Sequence, residues 1–145
     1  MIHDVKITPL KQIVDERGKI MHMMRNDSEI FKKFGEIYFS TVNPGFIKAW
    51  HLHKEATLNY ACVKGKVKLV LFDDRKGSKT EGKHHELILS PKNYLLVTIP
   101  PFIWNGFKGL DDSESIVANC LTQPHNEKEM VRKDPFDKSF SYKWD

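Results

Sequence analysis

The sequence predicts an all-β barrel or sandwich built from short antiparallel strands, and three observations predict it. Short aromatic and aliphatic runs recur along the 145-residue chain, each bounded by Gly, Pro, Asp or Asn. The turn signals between them fall at short, fairly regular intervals. Only Asp27–Phe34 (DSEIFKKF) reads as a helix, with Asp27 or Ser28 as its N-cap.

The elements follow in order. KIMHMMR (Lys19–Arg25) and EIYFSTV (Glu36–Val42) read as strands rich in apolar and aromatic residues. Asn43–Gly45 supplies Pro and Gly for a turn into FIKAWHLH (Phe46–His53). NYACVKG (Asn59–Gly65) leads through Gly65 into KVKLVLFD (Lys66–Asp73), whose first half alternates lysine with apolar residues. That period of two describes a half-buried strand. His84–Ser90, Tyr94–Pro100 and Ser115–Thr122 continue the series, with turns at DDRKGS, SPKN and GLDDS. The polar stretch from His125 is expected to form a turn of helix and then an extended tail that packs back.

A chain of this length suits one domain, residues 1–145, with a core of its own. Its net charge of +4 comes from scattered lysines, without the dense basic stripe and interleaved aromatics of a nucleic-acid groove. That balance is compatible with a small anionic substrate such as a nucleotide. Cys62 and Cys120 lie in apolar, strand-like runs and are expected as buried free thiols. The N-terminus lacks a signal-peptide pattern, and no apolar run approaches the roughly 18 residues of a membrane span. A cytoplasmic protein is the expectation.

The chemistry concentrates in KAWHLHKEATLNYACVKG, Lys48–Gly65. On a strand, residues i and i+2 share a face about 6.5–7 Å apart. His51 and His53 therefore point the same way, and Trp50 and Leu52 the other. Trp and Leu suit a packed outer face, so the histidines are assigned to the barrel interior. The spacing Gly45, His51, His53, Leu58, Gly65 resembles the first cupin motif, and PPFIWNGF (Pro100–Phe107) resembles the second. Leu58 stands where metal-binding cupins carry a glutamate, and Asn105 where they carry a histidine. With two of four ligands replaced, a metal site is disfavoured. Imidazoles without a metal are suited to proton transfer near neutral pH.

Further motifs carry the resemblance along the chain. DERGKIMHMMR, IKAWHLH, Val63–Phe107 and VRKDPFDKSFSYKW resemble, in order, segments of the dTDP-4-dehydrorhamnose 3,5-epimerases. Those enzymes are sugar-nucleotide cupins, and the resemblance implies a cupin barrel with a cofactor-free isomerase site. It sets His51 on the family's catalytic histidine and Lys48 on its phosphate-contacting arginine. Leu58 takes the place of the family's enolate-stabilising lysine, and the family's acid tyrosine aligns near Ala118. HLHKEATLNYACVKG is also similar to the nucleotide-sugar 3,4-ketoisomerases, in which both histidines belong to the site and an upstream tyrosine, here Tyr38, assists.

The expected function is thus epimerisation at C3 and/or C5 of a nucleotide-linked 4-keto-6-deoxyhexose, the nucleotide being dTDP. A 3,4-ketoisomerase and a non-catalytic sugar-nucleotide binder are the alternatives. His51 is expected as the base and His53 or Tyr38 as proton donor or shuttle. Arg17 and Lys48 are assigned to the diphosphate and Asn105 to a sugar hydroxyl. Tyr60, Tyr94 and Tyr142 remain open as substitutes for the missing acid. Trp104 is read as core. No cofactor is expected, and a homodimer is expected on family grounds.

Overall fold

The computed structural model describes Met1–Asp145 as an almost entirely β protein. In chain order the strands are β1 (Lys6–Pro9), β2 (Gln12–Asp15), β3 (Gly18–Met21), β4 (Glu36–Val42), β5 (Ile47–His53) and β6 (Leu58–Lys64). They continue with β7 (Val67–Phe72), β8 (His84–Leu89), β9 (Leu95–Ile99), β10 (Trp104–Gly109), β11 (Ser115–Leu121) and β12 (Met130–Arg132). One sheet has the order β1-β9-β6-β11-β4 and the other β12-β5-β10-β7-β8, while β2 and β3 form a separate hairpin. Every pairing is antiparallel, and from β4 to β12 the chain passes back and forth between the two sheets except at the β7–β8 hairpin, as in a jelly-roll cupin barrel. No helix is long and apolar enough to cross a membrane.

The core between the sheets is built by alternation. Leu58, Tyr60 and Cys62 of β6 meet Val67, Leu69 and Leu71 of β7, together with Val97, Ile99, Phe107, Val117 and Leu121. Leu58 therefore fills with hydrocarbon the position where a cupin metal ligand would project. Cys62 and Cys120 are buried free thiols, as their apolar surroundings indicated.

The outer face of the second sheet is also buried. Phe140, Tyr142 and Trp144 of the C-terminal tail pack on Trp50, Leu52, Val70, Phe72 and Trp104. Trp50 stacks on Phe140 at 4.6 Å between centroids, and Trp104 donates Nε1–H to Asp74 Oδ2 at 2.9 Å. Trp104 is core, as expected. The tail turns β7 from a half-buried strand into one buried on both faces. Lys68 is covered with it, its ammonium 2.6 Å from an Asp145 carboxylate oxygen and over the rings of Tyr142 and Trp144.

The helix expected over Asp27–Phe34 is absent, and the segment forms two turns instead. Its backbone bonds run from Ser28 to Arg25 and from Phe31 to Ser28, each spanning three residues, and an extended run follows. So short a segment holds a helix only if packing supports one apolar face. Here Ile30 packs against the outer face of the first sheet while Phe34 stays exposed.

Two local features aim the site. Asn43–Phe46 closes a turn with Pro44 second and Gly45 third at φ +79°, and the Phe46 N–H donates to the Asn43 carbonyl at 3.1 Å. That is the geometry of a type II turn. Further along β5, the register against β10 runs from Asn105↔His51 to Phe107↔Lys48, so two residues, Ala49 and Trp50, oppose one, Gly106. The extra residue is a β-bulge at Ala49–Trp50, whose peptide bond is cis. Gly106 lies opposite it, and a Cβ there would sit 2.9 Å from Ala49 Cα and 3.1 Å from the Lys48 carbonyl oxygen. Only glycine leaves room for the bulge.

Candidate active site

A cavity of ≈ 240 Å³ lies between the sheets at one end of the barrel. From β5 it receives Lys48, His51 and His53, from β4 Tyr38 and Ser40, and from β6 Tyr60. Phe107 lines it from β10, and His125, Met130 and Arg132 from the segment after β11. The histidines face inward and Trp50 and Leu52 outward, as alternation required. Lys48 shares the cavity with His51 only because of the bulge, since residues three apart on a regular strand point to opposite faces.

The two imidazoles differ in their surroundings. His53 Nδ1 lies 2.8 Å from Glu129 Oε1, and both side chains are buried. The other Glu129 oxygen accepts the Lys54 N–H at 3.0 Å, which fixes the carboxylate. A carboxylate so placed holds one tautomer and stabilises the imidazolium. His51 has no carboxylate partner. Burial first, then the positive charge of Arg132 and the neighbouring His53 and Lys48, hold its imidazole down to about 4. His51 is therefore neutral at physiological pH and able to donate one ring N–H as a hydrogen bond.

The facing sheet carries the phenols. Burial raises Tyr38 above its ordinary value against the opposing effect of an Asn119 hydrogen bond, so it is protonated at neutral pH. Tyr60, fully enclosed, is raised further. Tyr94 and Tyr142 lie in the clusters outside the two sheets and do not line the cavity. Ala118, near the position of the family's tyrosine, pairs with Ala61 and Phe39 on the face turned away. Its neighbour Asn119 reaches the cavity wall instead.

Cations gather at one side. Lys48 Nζ donates to Ser40 Oγ at 2.7 Å and to the Thr41 carbonyl at 3.1 Å. Arg132, opposite His51 in the β5–β12 register, binds Glu127 at 2.7 Å, and Glu127 also meets His125 at 2.9 Å. The remaining expected residues lie elsewhere. Asn105 is enclosed rather than at the barrel mouth, bonded to Tyr60 and to the His51 carbonyl. Arg17 sits in the β2–β3 hairpin, exposed and paired with Asp15 at 2.7 Å, away from the cavity of its own chain.

Glu129, Arg132 and Asn119 are the site residues that sequence reasoning missed. Glu129 and His53 are 76 residues apart, and no spacing rule connects them. No group of three or more His, Cys, Asp or Glu side chains is gathered to hold a metal ion. The arrangement can hold a weakly acidic C–H between a carboxylate-backed imidazole on one sheet and a protonated phenol on the other.

Known proteins share this frame. The sequence model of the family described as dTDP-4-dehydrorhamnose 3,5-epimerase matches residues 1–145. The probable low-salt glycan biosynthesis epimerase Agl13 of Haloferax volcanii is 32% identical over 123 residues, covering 83% of this chain and 79% of that protein. The spore coat polysaccharide biosynthesis protein SpsL of Bacillus subtilis is 29% identical over 126 residues, 87% of this chain and 83% of its own. A crystal structure of a dTDP sugar isomerase from Desulfovibrio desulfuricans G20 is similar at a TM-score of 0.96 and 38% identity, covering 99% of this chain and 92% of that one. The fold, the motifs in order and these likenesses agree, and the chain belongs to the dTDP-4-dehydrorhamnose 3,5-epimerase family.

Proposed function

We propose that this chain, a sugar-nucleotide epimerase by its family, inverts C3 and/or C5 of a dTDP-linked 4-keto-6-deoxyhexose. The observation that carries the reading is a pair of imidazoles on β5 facing a protonated phenol on β4 across one cavity. The C4 ketone acidifies the neighbouring C–H bonds because the resulting carbanion delocalises onto its oxygen.

In this reading His53 accepts the carbon-bound proton, and Glu129 stabilises the imidazolium that forms. Neutral His51 donates a ring N–H to the C4 oxygen as it gains charge, which a histidine of lowered pKa does without competing for the proton. That donor replaces the lysine whose place Leu58 occupies. These roles exchange the sequence expectation, which gave the base to His51. The reason is charge: an imidazolium at His51 would face Arg132 and Lys48, whereas one at His53 faces a carboxylate. Tyr38 returns a proton from the other face. Lys48 and Arg132 bind the diphosphate, Arg132 with the fork that lysine lacks.

The histidine pair with Tyr38 also favours the 3,4-ketoisomerase as the second reading, since that group uses the same three positions. Incubation with dTDP-4-keto-6-deoxyglucose, followed by proton and carbon NMR, separates the two. The proposal expects a new stereoisomer with its carbonyl still at C4. A product carbonyl at C3 would establish the ketoisomerase, and an unchanged bound sugar the non-catalytic binder.

We also infer that the chain works as a homodimer in the cytoplasm. The β2–β3 hairpin pairs with no other strand and exposes Ile13, Val14 and Ile20, and β4 exposes Ile37 and Phe39 at a sheet edge. A lone hairpin is marginal in water, and such apolar edges call for cover. Arg17, in that hairpin, serves the substrate only in a partner's site. Light scattering of the purified chain is expected to give twice the 16.9 kDa chain mass, and a monomer at micromolar concentration would refute the dimer.

A further inference from the structure

The cavity presents two phenols, Tyr38 and Tyr60, and each meets one asparagine amide. The backbone fixes which end of each amide faces the phenol. Asn105 Nδ2 lies 3.3 Å from the His51 carbonyl and 3.5 Å from the Ile103 carbonyl, both of which only accept. Its Oδ1 therefore faces Tyr60 at 2.9 Å and can only accept, so Tyr60 must donate. Asn119 is held the other way. Its Oδ1 takes the Asn59 N–H at 3.1 Å, which leaves Nδ2 to face Tyr38 Oη at 3.1 Å and donate to it.

The consequence for the protons is opposite. Tyr60 has its hydroxyl hydrogen committed to an enclosed acceptor. Tyr38 receives a hydrogen bond on its oxygen, and its own hydrogen is left for the cavity. We propose that Asn119 is a positioning residue that makes Tyr38 the proton donor to the sugar carbon, while Asn105 withholds Tyr60 from that role. This rests on the epimerase reading above. In the step itself, the Tyr38 O–H bond breaks as the new C–H bond forms. The enolate pair collapses to restore the C4 carbonyl, and the phenolate that remains is held by the Asn119 N–H. Asn119 thus favours the charged product of the transfer as well as the orientation before it.

Asn119→Asp tests this directly, because it retains an oxygen for the Asn59 N–H and puts a second oxygen where the donor stood. Tyr38 would then turn its hydrogen toward the carboxylate. Two quantities are read in D₂O with dTDP-4-keto-6-deoxyglucose: deuterium entering the starting sugar, and inversion at C3 or C5. The variant is expected to lose about tenfold or more in inversion relative to exchange. In a Tyr38→Phe background it should produce no further loss, which a merely structural role would. Tyr60→Phe should leave the ratio of inversion to exchange unchanged. If the buried charge prevents folding, Asn119→Ala is read by the same ratio. Exchange and inversion falling together, an unchanged ratio in a folded Asn119 variant, or loss of inversion in Tyr60→Phe would overturn the proposal. If the unaltered protein shows neither exchange nor inversion, the failure lies with the epimerase reading instead.

Discussion

Replacing His53 by asparagine is expected to lower kcat by about 10³-fold, within the range that a positioned general base contributes. Asparagine keeps a polar group of similar size beside Glu129 but cannot take a proton from carbon. Binding of the nucleotide portion should change little, because Lys48 and Arg132, the cavity cations proposed to bind the diphosphate, are untouched. Titration calorimetry with dTDP checks that half of the prediction. Glu129→Gln should act through the same ring, lowering kcat roughly tenfold to a hundredfold by removing the negative charge opposite the imidazolium. His51→Asn is expected to cost less than His53→Asn, since an amide N–H can still reach the C4 oxygen. The neutral state of His51 is kept above about pH 4, so its protonation should affect the rate only in strong acid. If His51→Asn abolishes turnover while His53→Asn retains most of it, the two roles are reversed.

Tyr38→Phe carries the second large effect. Loss of the phenol should lower inversion by about 10²–10⁴-fold, the span of a general acid. The ring remains to fill the cavity wall, so folding and nucleotide binding should be preserved. The histidine side of the cavity is intact in this variant. Carbon-bound hydrogen should still leave and return on that one face, which exchanges it with solvent without changing configuration.

Much of this site was legible in the sequence, and the reasons are physical. Alternation put His51 and His53 on one face and Trp50 and Leu52 on the other, because a buried aromatic and a cavity histidine need opposite surroundings. The NPG turn followed from the backbone demands of its Pro and Gly. The DDRKGSKT loop was visible as a turn, and its ties explain the residue choice. Asp73 is buried and accepts from Arg75, Ser78 and Thr80. Burial works to raise its pKa, but those hydrogen bonds together outweigh it and keep the carboxylate ionised.

Other parts were not legible. Lys48 joins His51 through a bulge, and a one-residue insertion leaves no mark on a hydrophobic pattern. The tail packs back after a turn of helix, as expected, through the Glu127–Glu129 turn and then Phe140, Tyr142 and Trp144. Which sheet it covers, and that it brings Glu129 and Arg132 to the cavity, were not legible. Such contacts follow from how distant segments pack, which local periodicity does not encode. Asn119 and Ala118 show how fine the distinction is: neighbouring residues on β11 face opposite sides, so an alignment good to one residue cannot choose between wall and exterior. The helical reading of Asp27–Phe34 failed because capping residues also favour turns.

In the proposed epimerisation the proton leaves toward the imidazoles of β5 and is returned by the phenol of β4. The most direct test of this route is the exchange of dTDP-4-keto-6-deoxyglucose in D₂O with the Tyr38→Phe variant, read by NMR for deuterium and configuration at C3 and C5. Deuterium is expected to enter with the original configuration retained and the carbonyl still at C4. Inversion at the rate of the unaltered protein, or loss of exchange together with inversion, would contradict it.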